Sequence, residues 1–266
     1  MNILDKIVEE KKLEVKEKKL LFPAKMLEKS LSFGNKNISL KESVLSDDKF
    51  GVIAEFKRKS PSKGIINEYA SVEKVSIGYI QAGASALSIL TDEKFFGGLM
   101  SDLTIARKFN FCPILRKDFI IDEYQIVEAK SIGADAILLI AAILNPCELQ
   151  TLAKFAKSLG LEVLLELHDE SEFNHINPYI DLVGINNRNL KDFSVNVNKS
   201  IQMAQSIPDE FIKIAESGIS DIDTLLEFKK NGFNGFLMGE LFMSSPEPEI
   251  TCKNFIQDIK KALQII

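Results

Sequence analysis

The chain has 266 residues, 45% apolar and 27% charged, a balance that supplies a large core and excludes an intrinsically disordered polymer. Its net charge of −5 argues against nucleic acid as a partner, and it contains no run of roughly 20 apolar residues of the kind that spans a bilayer. Cys112, Cys147 and Cys252 stand far apart with no C-x-x-C spacing, so neither a disulfide framework nor a metal site is expected.

Residues 1–45 are densely charged, with Ile3, Leu4, Ile7, Val8, Leu13 and Leu20 forming a thin apolar stripe. This pattern predicts a helix that ends at Phe22-Pro23 and packs on the main body rather than on a membrane. No signal-peptide block precedes it, and a cytoplasmic protein is expected.

From residue 50 onward, strand and helix patterns alternate. Strands are predicted at 52–56, 86–91, 113–118, 136–141, 162–168, 182–187, 212–217 and 235–239. Runs such as Ala136-Ile137-Leu138-Leu139-Ile140 are apolar on both faces, as a parallel sheet covered by helices requires. Gly83, Gly133, Gly160 and Gly232 fall where helices should end and turn toward the next strand. Eight such units predict an α/β fold, a (β/α)8 TIM barrel, as one domain over 1–266 with 1–45 a helical N-terminal extension. No G-x-G-x-x-G follows the first strand, which argues against a dinucleotide-binding sheet.

In such barrels chemistry sits at the C-terminal strand ends. Those ends supply Glu55, Lys57 and Ser60 from the first strand, Lys117 from the third, Glu166 from the fifth, and Asn186 and Arg188 from the sixth. The seventh adds Glu216-Ser217-Gly218 and the eighth Gly239 with Glu240. Strand alternation puts Glu55 and Lys57 on one face and Phe56 on the other. Ser217-Gly218 and Gly239-Glu240 precede helical segments, so both loops can aim backbone N–H groups at an anion. Phe95, Phe119 and residues 141–144 are candidate walls for an apolar ligand, and the basic stretch 57–64 reads as a flap over it. His168 and His175 lack any ligand spacing and read as structural. Residue types alone leave two other readings open: a Schiff-base aldolase using Lys117, and a non-enzymatic barrel that binds a phosphorylated metabolite.

Six segments carry a family resemblance: Ile53-Ala54-Glu55-Phe56-Lys57-Arg58-Lys59-Ser60-Pro61-Ser62, Leu115-Arg116-Lys117-Asp118-Phe119, Leu165-Glu166-Leu167-His168-Asp169, Gly184 through Leu190, Ala215-Glu216-Ser217-Gly218-Ile219 and Phe236-Leu237-Met238-Gly239-Glu240. In order and spacing, over nearly the whole chain, they resemble the signature segments of indole-3-glycerol phosphate synthases. The resemblance implies a cofactor-free enzyme of tryptophan biosynthesis, working without metal as a monomer or weak homo-oligomer on a phosphorylated small molecule. Its substrate would be 1-(2-carboxyphenylamino)-1-deoxyribulose 5-phosphate, and its products indole-3-glycerol phosphate, carbon dioxide and water. Under that resemblance Lys117 matches the general acid, Glu166 a proton-transferring carboxylate and Lys57 a lysine beside the substrate carboxylate that is sometimes given an acid role itself, which leaves the division of labour between the two lysines open. Glu55, Asn186, Arg188 and Glu216 complete the catalytic set. Ser60, Ser217, Gly218, Gly239 and Glu240 match phosphate-binding positions, where the Glu240 side chain is expected to turn away.

Overall fold

The computed structural model describes residues 3–189 and 194–264; Leu190, the last residue of the fourth signature segment, lies outside them. Eight parallel strands close into a barrel: β1 (Val52–Phe56), β2 (Ala86–Leu90), β3 (Ile114–Lys117), β4 (Ala136–Ile140), β5 (Glu162–Leu167), β6 (Leu182–Asn186), β7 (Ile212–Glu216) and β8 (Gly235–Met238). Each strand pairs with its successor, and β8 closes on β1 with Val52 opposite Phe236 and Ala54 opposite Met238. Every expected strand is present and ends within one residue of its expected exit.

Two apolar layers explain the continuous hydrophobic runs. Ile53, Leu115, Leu138, Leu164, Leu182, Ile214 and Leu237 point inward and fill the barrel. Their alternates, among them Val52, Phe56, Ile89, Leu139, Val163 and Phe236, pack outward beneath the helices. Because the side-chain period is two, the inward row continues to Glu55, Lys117, Glu166, Asn186, Glu216 and Gly239 at the strand exits. One parity rule therefore builds both the core and the ring of polar groups above it.

The helices are closed as the sequence anticipates. Gly83, Gly133, Gly160 and Gly232 all adopt the left-handed φ that lets a chain leave a helix without a β-carbon clash. Ser71 and Asp221 cap the helices Val72–Ala82 and Ile222–Lys230 by accepting from Lys74 N and Thr224 N.

The N-terminal extension clamps both ends of the barrel. Its first helix, Ile3–Leu21, lies over the C-terminal mouth, where Tyr124 donates its hydroxyl to the carbonyls of Lys18 and Phe22. The chain then runs past the helix Glu123–Ser131, with Ser30 Oγ on Ser131 O, to the opposite end. There Asn37 donates to Asp135 O and Gly160 O, and Ser39 to Glu162, while Leu40 and Val44 plug the barrel floor.

The expected apolar stripe is only partly right. Ile7 is buried and Ile3, Leu4 and Val8 are half-buried, but Leu13 and Leu20 are 65% and 78% exposed, and the buried row runs instead from Ile7 to Val15, which the stripe did not include. The position between is taken by Lys11, only 1% exposed, whose Nζ lies 3.0 Å from both Asp92 Oδ2 and Asp118 Oδ1. Asp118 also accepts from Thr91 Oγ1 at 2.6 Å and Arg116 at 2.9 Å. A charged network thus occupies one turn of the helix interface, between two buried aliphatic side chains.

Residues 57–64 form the start of a small antiparallel hairpin rather than an irregular loop: Lys59 pairs with Ile65 and Ser60 with Gly64. Its root is fixed by Arg58, which grips Asp102 through two contacts of 2.5 and 3.0 Å. Among the described residues no helix is long and apolar enough to cross a membrane.

Candidate active site

The inward polar row opens into one cavity at the barrel mouth. Lys117 is its centre. Its Nζ donates to Glu166 Oε2 at 3.0 Å and to Glu216 Oε2 at 2.5 Å, so groups from β3, β5 and β7 meet on one ammonium. Asn186, from β6, donates to Glu166 Oε1 at 3.2 Å and braces the carboxylate from the other side. On the neighbouring wall Lys57 pairs with Glu55 Oε1 at 2.8 Å.

The protonation pattern follows from this packing. Burial alone would lower the Lys117 pKa, but the Glu166, Glu216 and Glu55 carboxylates overturn that effect and hold it above its ordinary value. Two buried carboxyls on one ammonium cannot ionise independently. Burial and the charge of Glu166 push Glu216 up to about 8, against the pull of Lys117. Glu166, despite its burial, stays well below its usual range because Lys117 and His168 favour its anion. Of the two carboxyls, Glu166 is therefore the one held as an anion beside the ammonium, and Glu216 the one that binds a proton more readily.

The floor explains why the carboxyls fit. Gly184 on β6 leaves the space that Glu216 Oε1 fills, and a β-carbon there would clash with it. Gly239 does the same for Glu55, whose Oε1 lies 2.7 Å from where a β-carbon would be built. A glycine inside an otherwise apolar strand signals such an approach, but nothing in the sequence says which side chain approaches.

The opposite side of the cavity is formed by Ser60, Ser217, Gly218, Gly239 and Glu240. Ser217 and Gly218 both adopt positive φ, 66° and 72°, an uncommon conformation for serine. Asn187 holds this turn by donating to Ser217 O at 2.6 Å, and Val195 packs against the bare face of Gly218. The helix Glu240–Met243 begins directly after Gly239, so its first N–H groups have no partner within the helix.

Glu240 departs from expectation. Its side chain stays at the cavity, where Arg188 donates to Oε2 at 2.9 Å and Lys63 approaches Oε1 at 3.5 Å. Two cations hold it there, so Arg188 sits on the anion side rather than beside Lys117. The aromatic wall also differs. Phe119 lines the cavity, but its partner is Phe96, 5.9 Å between ring centroids; Phe95 and residues 141–144 are not among the cavity residues. Leu138 and Ile140 take the role expected of 141–144, because the inward parity of β4 ends with them. Ile3, Leu4 and Ile7 of the N-terminal helix complete the apolar side.

His168 was expected to be structural, yet it stands beside the cluster with Nε2 3.2 Å from Glu166 Oε1. His175 is structural: both ring nitrogens are engaged, with Glu172 O and Leu144 O at 2.9 Å. Cys112 and Cys252 are buried and Cys147 exposed, all as free thiols. Among the described residues no three His, Cys, Asp or Glu side chains are grouped so as to hold a metal ion.

A closed parallel barrel with a lysine–carboxylate cluster facing an N–H-rich turn defines a (β/α)8-barrel enzyme of acid–base chemistry. A family model described as indole-3-glycerol phosphate synthase matches residues 4–255. The chain belongs to the indole-3-glycerol phosphate synthase family. It is 48% identical over 259 residues to the indole-3-glycerol phosphate synthase of Bacteroides thetaiotaomicron, covering 97% of this chain and 99% of that protein. The Campylobacter jejuni (strain 81-176) enzyme of the same name is 42% identical over 245 residues, 91% of this chain and 95% of that one. Among solved structures, 3-hexulose-6-phosphate synthase from Salmonella typhimurium shares the fold alone, with TM-score 0.62 at 12% identity over 79% of this chain and 99% of that one.

Proposed function

We propose that the mouth cavity binds 1-(2-carboxyphenylamino)-1-deoxyribulose 5-phosphate and closes its indole ring, releasing carbon dioxide and water to give indole-3-glycerol phosphate for tryptophan biosynthesis. The chain acts as a carbon–carbon lyase. Membership of the family and the coverage of its relatives support this reading. The observation that carries it is Lys117, clasped by Glu166 and Glu216, in one cavity with the Ser217-Gly218 and Gly239-Glu240 loops.

Attack of the carboxylate-bearing ring carbon on the ketone turns the carbonyl oxygen toward an alkoxide. Lys117, kept protonated by its carboxylate neighbours, delivers the proton. An ammonium of raised pKa remains a stronger acid than the alcohol it creates, and a positioned donor of this kind contributes on the order of 10²–10⁴-fold. Loss of carbon dioxide then restores the aromatic ring. Dehydration needs a donor for the departing hydroxyl, which leaves as water on a proton from Lys117 recharged from solvent. It also needs an acceptor for the proton leaving the new ring, for which Glu166 is an anion at hydrogen-bond distance from Lys117. Glu216, whose burial beside Glu166 favours its protonated form, limits the negative charge the cluster carries toward the substrate.

Lys57, with Glu55 at its side, receives the substrate carboxylate. Ser60, Ser217, Gly218, Gly239 and the Glu240 backbone take the phosphate, with Arg188 and Lys63 neutralising the Glu240 carboxylate that would otherwise repel it. Leu138, Ile140, Phe96 and Phe119 face the aromatic ring. Asn186 orients Glu166.

A Schiff-base role for Lys117 fits less well, because an amine must be unprotonated to attack a carbonyl and these carboxylates hold the proton on. Borohydride with a sugar phosphate should therefore leave no covalent adduct. We read residues 1–266 as one barrel domain with 1–45 its extension, working in the cytoplasm as a monomer or weak homo-oligomer without nucleic-acid or membrane partners. The test is direct. The chain contains no tryptophan, so indole fluorescence from product should rise over a dark background when the anthranilate-derived ribulose phosphate is added. No emission, with substrate unconsumed, would refute the assignment.

A further inference from the structure

We propose that His168 is a positioning residue for Glu166, holding that carboxylate as an oriented anion between Lys117 and Asn186. This rests on the role given to Glu166 above and assigns a function to a side chain that touches no part of the substrate cavity. His168 follows β5 immediately and lies two residues beyond Glu166, so alternation brings both side chains to one side of the chain. Its Nε2 is 3.2 Å from Glu166 Oε1, the same oxygen that accepts from Asn186. The other oxygen, Oε2, belongs to Lys117. Glu166 is thus held from three directions, and His168 supplies the only one whose charge can change near neutrality.

The imidazole is poorly satisfied in any other way. Both ring nitrogens are buried, and neither has a hydrogen-bond partner. The Nε2–Glu166 contact, at 3.2 Å, is an ion pair when the ring is protonated. Burying such a ring beside a carboxylate is costly unless the pair is charged. The groups facing it are consistent: Glu166 and Glu172 on the segments before and after it and Glu216 from β7 are all acidic. Lys199, from the helix Val197–Gln205, is spent on the His168 carbonyl and Asp169 rather than on the ring. Burial alone would lower the imidazole pKa; Glu166 outweighs it and raises it above 6.5.

The main chain fixes the ring from behind. Glu172 accepts from His168 N at 2.6 Å, and Asp169 caps the short helical segment Glu170–His175. His168 is therefore rooted in a turn, and a rotation of Glu166 away from Lys117 has to break its contact with the imidazole.

The chain has two histidines, so their imidazole proton signals can be assigned by a single His175→Gln variant. In the parent, His168 should titrate above 6.5; in Glu166→Gln its pKa should fall. An unchanged His168 titration in Glu166→Gln would overturn the proposal. Kinetically, His168→Leu should lower kcat by roughly 10- to 100-fold with little change in KM, less than the loss of a donor aimed at the reacting oxygen. His168→Gln, which can place an amide N–H where Nε2 stood, should recover part of that loss and guards against a folding defect in the leucine variant. Equal kcat in parent, His168→Leu and His168→Gln would also overturn it. Turnover retained by Glu166→Gln would instead sink the role assigned to Glu166, a separate failure.

Discussion

The carboxylate of Glu216 occupies the space that a β-carbon on Gly184 would fill. The two residues sit on adjacent strands, and the absence of a side chain on β6 lets Glu216 lean across to Lys117. Gly184→Ala should therefore displace Glu216 rather than merely crowd the core. Overpacking of this kind costs roughly 1–3 kcal/mol. We expect a matching loss of stability in urea unfolding and a fall in kcat much larger than any change in KM. An alanine variant with parental kcat would show that Glu216 need not hold its present place.

Lys117→Ala and Glu166→Gln should each reduce kcat by about 10²–10⁴-fold, the range for loss of a general acid or base. Far-ultraviolet circular dichroism should be unchanged, since both side chains sit above the core rather than in it. Most of the activity surviving in either variant would contradict its assigned role.

The pH dependence of stability should carry the signature of Glu216. Its carboxyl holds a proton more tightly folded than unfolded, with a pKa raised from 4.5 to about 8. Its contribution is therefore fully present below pH 4.5 and is lost as the pH rises through about 8. Glu216→Gln, isosteric with the protonated acid, should flatten the decline in Tm across that window. Parallel Tm profiles for parent and variant would refute it.

Lys11→Met should loosen the N-terminal helix. It strands Asp92 and part of Asp118 in a buried site, and breaking a buried pair costs about 3–5 kcal/mol. Because Ile3, Leu4 and Ile7 of that helix line the cavity, KM should rise and limited proteolysis should cut near residue 22 before the barrel unfolds. Unaltered KM and protease resistance would mean the helix docks without its lysine.

The hairpin at 59–65 should respond to ligand. Ser60 and Ser62 line the cavity and Lys63 pairs with Glu240, so a bound phosphate adds a partner to those the hairpin already has. Tryptic cleavage at Lys59 or Lys63 should slow when a substrate analogue is added. Equal cleavage rates would count against a flap.

The barrel and the inward ring were legible because both follow from a period of two applied to apolar runs with polar ends. What periodicity cannot convey is which contact a residue makes after the sheet closes. Gly184 reads as a weak strand position until Glu216 is seen beside it. Lys11 reads as a solvated charge until Asp92 and Asp118 arrive from two different loops. Phe95 and Phe96 are adjacent in a four-residue helix, Glu93–Phe96, so a single step of rotation decides which one faces the ligand. His168 carried no motif at all; its significance lies in a distance to Glu166 that strand alternation permits but does not specify.

The pairing of β8 with β1 has a consequence for how the protein comes into being on the ribosome. Glu55 and Lys57 are made early, yet the strand that walls them in, and the Gly239 that leaves room for Glu55, are among the later parts to emerge. A partly synthesised chain holds most of the acids and bases with no enclosure around them. Competence arrives at once, when the last seam shuts, and a nascent chain stalled before Gly235 should be inert however well its earlier helices have formed.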